Sequence, residues 1–285
     1  MKNEILNLYQ DYKRGGIGRR EFLKKLARIA GGTAAAVALL PLIEKTAVSA
    51  EIIPPDDPRL ETEKVTYPGE TGDIKSYLAR PKGAERLPAV IVIHENRGLQ
   101  PHIRDVTRRV ALEGFLALAP DALSPLGGTT DNSDEDRSKM GQLDGEKTIK
   151  DFASAVDYLK THPLSTGKVG CTGFCWGGGM TNQVAVHAPD LKAAVPYYGR
   201  QPEAEDVPKI KASLLCHYAE LDERINAGIP AFEEAMKQAG IDHRIFVYKG
   251  AAHAFNNDTS TRYHEEAAKL AFERTIAFFK EKLNE

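Results

Sequence analysis

The sequence predicts a single α/β domain with a mainly parallel sheet covered by helices on both faces, and three observations predict it. From residue 87 onward, short β-branched runs alternate with stretches of helical period. The run Leu87 to His94 (LPAVIVIH) is apolar up to its last residue, as a strand buried on both faces must be. The chain has 285 residues, 42% hydrophobic and 27% charged, which is enough for one large core and typical of an ordinary globular protein.

Taken in order, Ile52 to Arg59 (IIPPDDPR) has no periodicity and reads as a tether. Strands are expected at Glu63 to Tyr67 and Ile74 to Arg80, around the turn-like Pro68-Gly69-Glu70-Thr71-Gly72. The central strand Leu87 to His94 is followed by a helix from about His102 to Glu113, closed by Gly114, and a strand at Phe115 to Ala119. Asp121 to Gly145 is crowded with Asp, Ser, Thr and Gly and shows no hydrophobic period, so it reads as a binding loop or lid, or as disordered chain. Ile149, Phe152, Val156 and Leu159 then share one face of a helix over Thr148 to His162. Strands at Lys168 to Thr172, Lys192 to Tyr197, Ala212 to His217 and His243 to Tyr248 alternate with helices at Gly177 to His187 and Ala227 to Ala239. Arg262 to Leu283 forms a long final helix.

The net charge of -2 sums two unlike regions, +5 over residues 1–50 and -7 over the remainder. An acidic body has no general attraction for phosphate backbones, which argues against nucleic acid as a partner. In the basic region, Gly18-Arg19-Arg20-Glu21-Phe22-Leu23-Lys24 precedes a weakly apolar run from Ile29 to Ile43, shorter than the roughly 20 residues of a membrane span. Val48-Ser49-Ala50 then offers the small residues a signal peptidase requires. The whole resembles a bacterial twin-arginine export signal. On this reading residues 1–50 are a removable address read by the export machinery, 51–62 a tether and 63–285 the folded domain. The mature protein would work in the periplasm or beyond, with no membrane span after cleavage. The competing reading is an amphipathic N-terminal helix.

The most informative segment is Val169-Gly170-Cys171-Thr172-Gly173-Phe174-Cys175-Trp176-Gly177-Gly178-Gly179. Gly173-x-Cys175-x-Gly177 follows an apolar strand and opens a helix, the context of a nucleophile elbow, with Cys175 where Ser is usual. Side chains two residues to either side of so sharp a turn would collide, which explains the glycines. The positive end of the following helix is expected to ease thiolate formation. The Trp176 amide would face a developing oxyanion.

Such an elbow needs an acid and then a histidine later in the chain. Asp222 lies just beyond the strand ending at His217, with Glu220 and Glu223 as competitors in the same loop. His253 follows the strand ending at Tyr248. The order Cys175, Asp222, His253 therefore matches nucleophile, orienting acid and base. His94-Glu95 is not followed by a second His at helical spacing, so a zinc site is not expected, and no cofactor is implied.

With these residues in place, the chain resembles the dienelactone hydrolase, or carboxymethylenebutenolidase-like, family of α/β-hydrolases over about Lys64 to Leu283. Gly173-Phe174-Cys175-Trp176-Gly177-Gly178 is similar to the family's cysteine elbow and Gly250-Ala251-Ala252-His253-Ala254-Phe255 to its histidine loop. Pro196-Tyr197-Tyr198-Gly199 and Ala119-Pro120-Asp121 fit further family patterns. The resemblance implies an α/β-hydrolase fold and hydrolysis of a small ester or lactone. It also implies that Glu95 governs the resting Cys175 thiol and that the Asn96 amide completes the oxyanion hole. One departure stands out: Asn257 occupies the position where the family holds an arginine for the substrate's carboxylate. Arg97, Arg200 and Arg262 are the candidates to replace it, with Tyr198 a further candidate contact. Two other readings of the same residues are a non-catalytic binding protein of this fold and a thiol-redox protein using Cys175.

Overall fold

The computed structural model describes residues 52–284 continuously and, before them, residues 5, 8, 9, 12, 17–33 and 35–39. The chain divides into two compact units, one of residues 1–52 with 259–261 and one of residues 53–258 with 262–285.

In the first unit, helix α1 (Arg19–Ala30) buries Phe22 and Leu26 against Tyr9, Ile17 and Ala36. It ends at Gly31, whose positive φ of 80° suits a residue without a Cβ and lets its amide return to the Ala27 carbonyl. Among the described residues no helix is long and apolar enough to cross a membrane. The expected cleavage site at Val48-Ser49-Ala50 lies outside the described residues.

The second unit carries one eight-stranded sheet. Its strands are β1 (Leu60–Gly69), β2 (Gly72–Pro81), β3 (Leu87–Ile93), β4 (Leu116–Pro120), β5 (Ser165–Phe174), β6 (Ala193–Tyr197), β7 (Ser213–Ala219) and β8 (His243–Tyr248), in the order β1-β2-β4-β3-β5-β6-β7-β8. β1, β2 and β4 are antiparallel neighbours, and every pairing from β4–β3 to β7–β8 is parallel. This is the mainly parallel sheet that the sequence predicts.

The uninterrupted apolar run of β3 is explained by what covers each side. Ala89, Ile91 and Ile93 join Phe152, Val156 and Leu159 of helix α4 (Gly145–Thr161) in one core. Val90 and Val92 join Val106 and Val110 of helix α2 (Pro101–Leu112) and Phe279 of helix α8 (Glu265–Leu283) in the other. Alternate side chains thus enter opposite hydrophobic layers.

Differences from the sequence-based expectation have local causes. β1 starts at Leu60 because its ladder with β2 runs unbroken from Leu60↔Pro81 to Gly69↔Gly72. The stretch expected as a tether is fastened at Ile53, whose amide donates to Asp105 Oδ1 at 2.8 Å and whose carbonyl accepts from Arg108 Nε at 2.6 Å. α4 starts at Gly145 because Asp144 accepts from the Lys147 amide, and α8 starts at Glu265 because the His264 ring accepts from the Ala267 amide.

The 121–145 segment is ordered. It contains a turn of 3-10 helix at Ser124–Leu126 and helix α3 (Ser133–Met140), capped by Asn132. Asp136, fully buried, accepts from the Thr130 amide and hydroxyl and from Gln100 Nε2. Asp121 accepts from the Leu123 and Thr129 amides and the Thr129 hydroxyl. Carboxylates that satisfy backbone donors organise this segment, and such order leaves no hydrophobic period to read.

Candidate active site

The site is built where strands end. Cys175 follows β5, caps helix α5 (Trp176–His187) and has φ 58°, a conformation that L-residues other than Asn and Asp seldom adopt. Tyr198 after β6 (φ 38°) and Ala254 beside His253 (φ 68°) are the other described non-glycine residues with positive φ. Three strained residues at one edge of one sheet mark the region where the fold sacrifices local comfort.

The glycines flanking the elbow are there for space. A Cβ on Gly173 would lie 2.3 Å from the Gly177 carbonyl oxygen, and one on Gly177 would lie 2.4 Å from the His94 carbonyl oxygen. Both are far below van der Waals contact with backbone that cannot move aside. The Cys175 amide donates to the Tyr197 carbonyl at 3.1 Å, which locks the turn to the end of β6.

His253 Nδ1 lies 2.5 Å from Asp222 Oδ2, with both side chains largely buried. Asp222 is the partner among the three acids of its loop. Glu220 instead accepts from the Gly250 amide at 2.8 Å, and Glu223 is exposed at the start of the short helix α6 (Glu223–Asn226). A carboxylate on Nδ1 leaves Nε2 as the free ring nitrogen, which is the arrangement a general base needs. Tyr198 is fully buried with its ring edge-on to His253 at 5.1 Å, a placement suited to holding the imidazole.

The resting thiol is less acidic than the elbow motif suggests. Burial and the charge of Glu95 push the Cys175 thiol up to about 11, against a donated hydrogen bond from the Trp176 amide and the fields of Arg224 and Arg262. The expected easing by the helix terminus is therefore outweighed, and Cys175 rests as a thiol at neutral pH. Glu95 lies in the turn after β3. Its Oε2 accepts from Asn257 Nδ2 at 2.7 Å, while its Oε1 is buried with no hydrogen-bond partner. Asn96 is half-buried in the same turn. Asn257, which stands where an arginine is expected, is thus engaged with the carboxylate that faces the thiol.

The remaining candidates separate. Arg97 donates to Asp134 and Ser133, and Arg200 pairs with Glu203 at the surface. Arg262 does act on Cys175, and so does Arg224, which sequence reasoning missed. Its only sequence signal was its place two residues beyond Asp222.

His94 is buried and structural. The Ala122 amide donates to its Nε2, its Nδ1 donates to the Glu95 carbonyl, its ring stacks on Trp176 at 5.4 Å, and burial keeps it neutral. The three cysteines are free. Cys171 and Cys216 are fully buried, and burial pushes their thiols up to about 12. Among the described residues no cluster of His, Cys, Asp or Glu could hold a metal ion.

The dienelactone hydrolase family model matches residues 74–283. The chain is 32% identical over 229 residues to a protein of Salmonella typhi named "Putative carboxymethylenebutenolidase", covering 75% of this chain and 85% of that one. A protein of the same name from Saccharolobus solfataricus is 32% identical over 256 residues, covering 76% of this chain and 98% of that one. Among solved structures, a protein of Klebsiella pneumoniae named "Putative Dienelactone Hydrolase" superposes with a TM-score of 0.69 at 32% identity, over 77% of this chain and 98% of that one. The esterase of Pyrobaculum calidifontis, at 18% identity and a TM-score of 0.63 over 86% of this chain and 93% of that one, shares the α/β-hydrolase fold.

Proposed function

The chain belongs to the dienelactone hydrolase family, and from that premise we propose that it hydrolyses a small carboxylic ester or lactone through Cys175, His253 and Asp222. The observation that carries this reading is the His253–Asp222 pair at 2.5 Å on the same sheet edge as the strained Cys175 elbow.

In the proposed reaction His253 Nε2 takes the thiol proton as Cys175 Sγ attacks the acyl carbon. The tetrahedral oxyanion meets the Trp176 and Asn96 amides. Its collapse breaks the bond to the alkoxide, which leaves with the proton from His253, and Cys175 retains the acyl group as a thioester. Water then gives a proton to His253 and its oxygen attacks the thioester. The acid departs and the thiolate regains the proton. Asp222 holds the imidazole tautomer and supports its cation throughout.

Glu95 acts as a resting lock, because its charge next to the thiol raises the cost of ionisation until substrate shields or displaces it. A purified protein that hydrolyses a short-chain aryl ester, and loses this at least ~10³-fold in Cys175→Ala, supports the reading. Activity that survives the substitution refutes it.

The N-terminal region enters the same proposal as a twin-arginine export address, with the working domain following it and its sheet beginning at Leu60. Cells expressing the full chain should release a product starting at Glu51 outside the inner membrane, and Arg19→Lys with Arg20→Lys should retain it inside. Full-length chain in the cytoplasm in both cases refutes the address.

A further inference from the structure

A cavity lies on the β1–β2–β4 side of the sheet, and none of Cys175, Asp222, His253, Glu95 or Asn257 lines it. Its volume is about 330 Å³. The hairpin register explains its chemistry. Lys64 stands opposite Tyr77 and Thr66 opposite Lys75, and residues two apart along a strand share a face, so all four side chains stand on one side of the hairpin. Arg104 of α2 and the turn at Gly127 to Thr129 close the cavity, with Leu99 on its wall.

The charges here are unbalanced. Lys75 Nζ donates to the Gly127 carbonyl at 2.9 Å, and among the described residues none of Lys64, Lys75 and Arg104 is in an ion pair with a carboxylate. Asp121 is the one acid in the lining, and its oxygens already accept from the Leu123 amide and from the Thr129 amide and hydroxyl. Three cationic residues therefore line the space with one carboxylate, an excess of two positive charges.

The walls are not all polar. The Tyr77 ring is held in place by Arg108 Nη1, which donates to its hydroxyl at 3.0 Å, and Leu99 adds an aliphatic surface. The volume reaches the lower range of small-molecule pockets and exceeds what a bare oxyanion fills. A guanidinium and two ammonium groups beside an aromatic ring fit an anionic head on an apolar body.

We infer that this cavity is a binding site for a small organic anion, an apolar ring or chain carrying one carboxylate or phosphate. The test is calorimetric titration, at low salt, of the full-length protein after alkylation of Cys175. Benzoate and phenyl phosphate are the probes, and benzyl alcohol and inorganic phosphate the controls. At least one ring anion is expected to bind at one site, more tightly than either control and more weakly as salt rises. Arg104→Gln should weaken it at least tenfold and Lys64→Gln less, whereas Arg224→Gln at the Cys175 site should leave it unchanged. The tighter of the two ring anions identifies the head group. Unchanged melting temperatures establish that the variants are folded. Absence of binding by both ring anions, equal binding of a control, or an Arg104→Gln variant that binds like the parent overturns the inference.

Discussion

Cys171 and Cys175 sit four residues apart on one strand and its turn, and they differ little in resting acidity, with thiols pushed up to about 12 and about 11. Burial raises both. The difference lies in what each can reach. Cys171 lies in β5 between β3 and β6, its sulfur 3.8 Å from the Thr181 hydroxyl. Cys175 stands on the elbow, with the Trp176 amide, the Glu95 carboxylate and two arginines acting on it, at the sheet edge that carries His253 and Asp222. On the proposed mechanism these neighbours, and not a low resting pKa, set Cys175 apart from Cys171.

The contrast can be broken at several points. The largest effect is expected from Asp222→Asn, which leaves the imidazole without its orienting anion. By analogy with other triads, ester turnover should fall by about 10⁴-fold, while Cys171→Ala, which removes a thiol with no role in the chemistry, should retain activity in whatever fraction folds. Initial-rate assays on both variants check this, and comparable losses per folded molecule would erase the distinction between the two cysteines.

A smaller and opposite effect is expected from Glu95→Gln. Removing a negative charge beside the thiol lowers its pKa, and each unit of lowering gives tenfold more thiolate at a fixed pH below it. The rate of iodoacetamide modification of Cys175 at pH 7 should rise about tenfold in this variant, with Cys171 and Cys216 unmodified in the native state. Peptide mass mapping reads both, and an unchanged rate would remove Glu95 from the account of the resting thiol.

The histidines repeat the contrast on a different scale. His253 is paired with Asp222, whereas His217 is buried between Tyr248 and Thr275, its pKa held down to about 3 by burial. A histidine depressed in the folded state takes up its proton first in the unfolded chain. Its contribution is intact above about pH 6.5 and is lost progressively as pH falls below that. Between pH 6.5 and 5 His217 alone should cost about 2 kcal/mol of stability. Urea denaturation across this range should show the slope, and His217→Gln should flatten it.

Much of this was legible in the sequence because it rests on local pattern. The β-branched runs give β3 to β8 within a few residues, and Gly173-x-Cys175-x-Gly177 gives the elbow because only glycine clears the backbone there. The order of acid and histidine picks out Asp222 and His253, with Glu220 and Glu223 as lesser competitors, and the three-dimensional loop puts Asp222 on His253 and Glu220 on the Gly250 amide. What was hidden depends on contacts between distant segments. Asn257 reaches Glu95 from the other end of the domain, and Arg224 projects its field on the thiol from a four-residue helix with no pattern of its own. The elbow motif alone points to an eased Cys175 thiol because the helix terminus is visible in sequence while burial is not, and the part of Glu95 comes only with the family resemblance. Helix α3 was hidden because Asn132 and Asp136 hold it by hydrogen bonds, without an apolar face.

The most direct test of the central claim is intact-mass and peptide analysis of the enzyme acid-quenched while turning over a slowly hydrolysed aryl ester. The account predicts one acyl group, carried by Cys175 as a thioester, forming and decaying at rates that match turnover and absent from Cys171 and Cys216. Turnover without any adduct on Cys175, or with the acyl group on another residue, would contradict it.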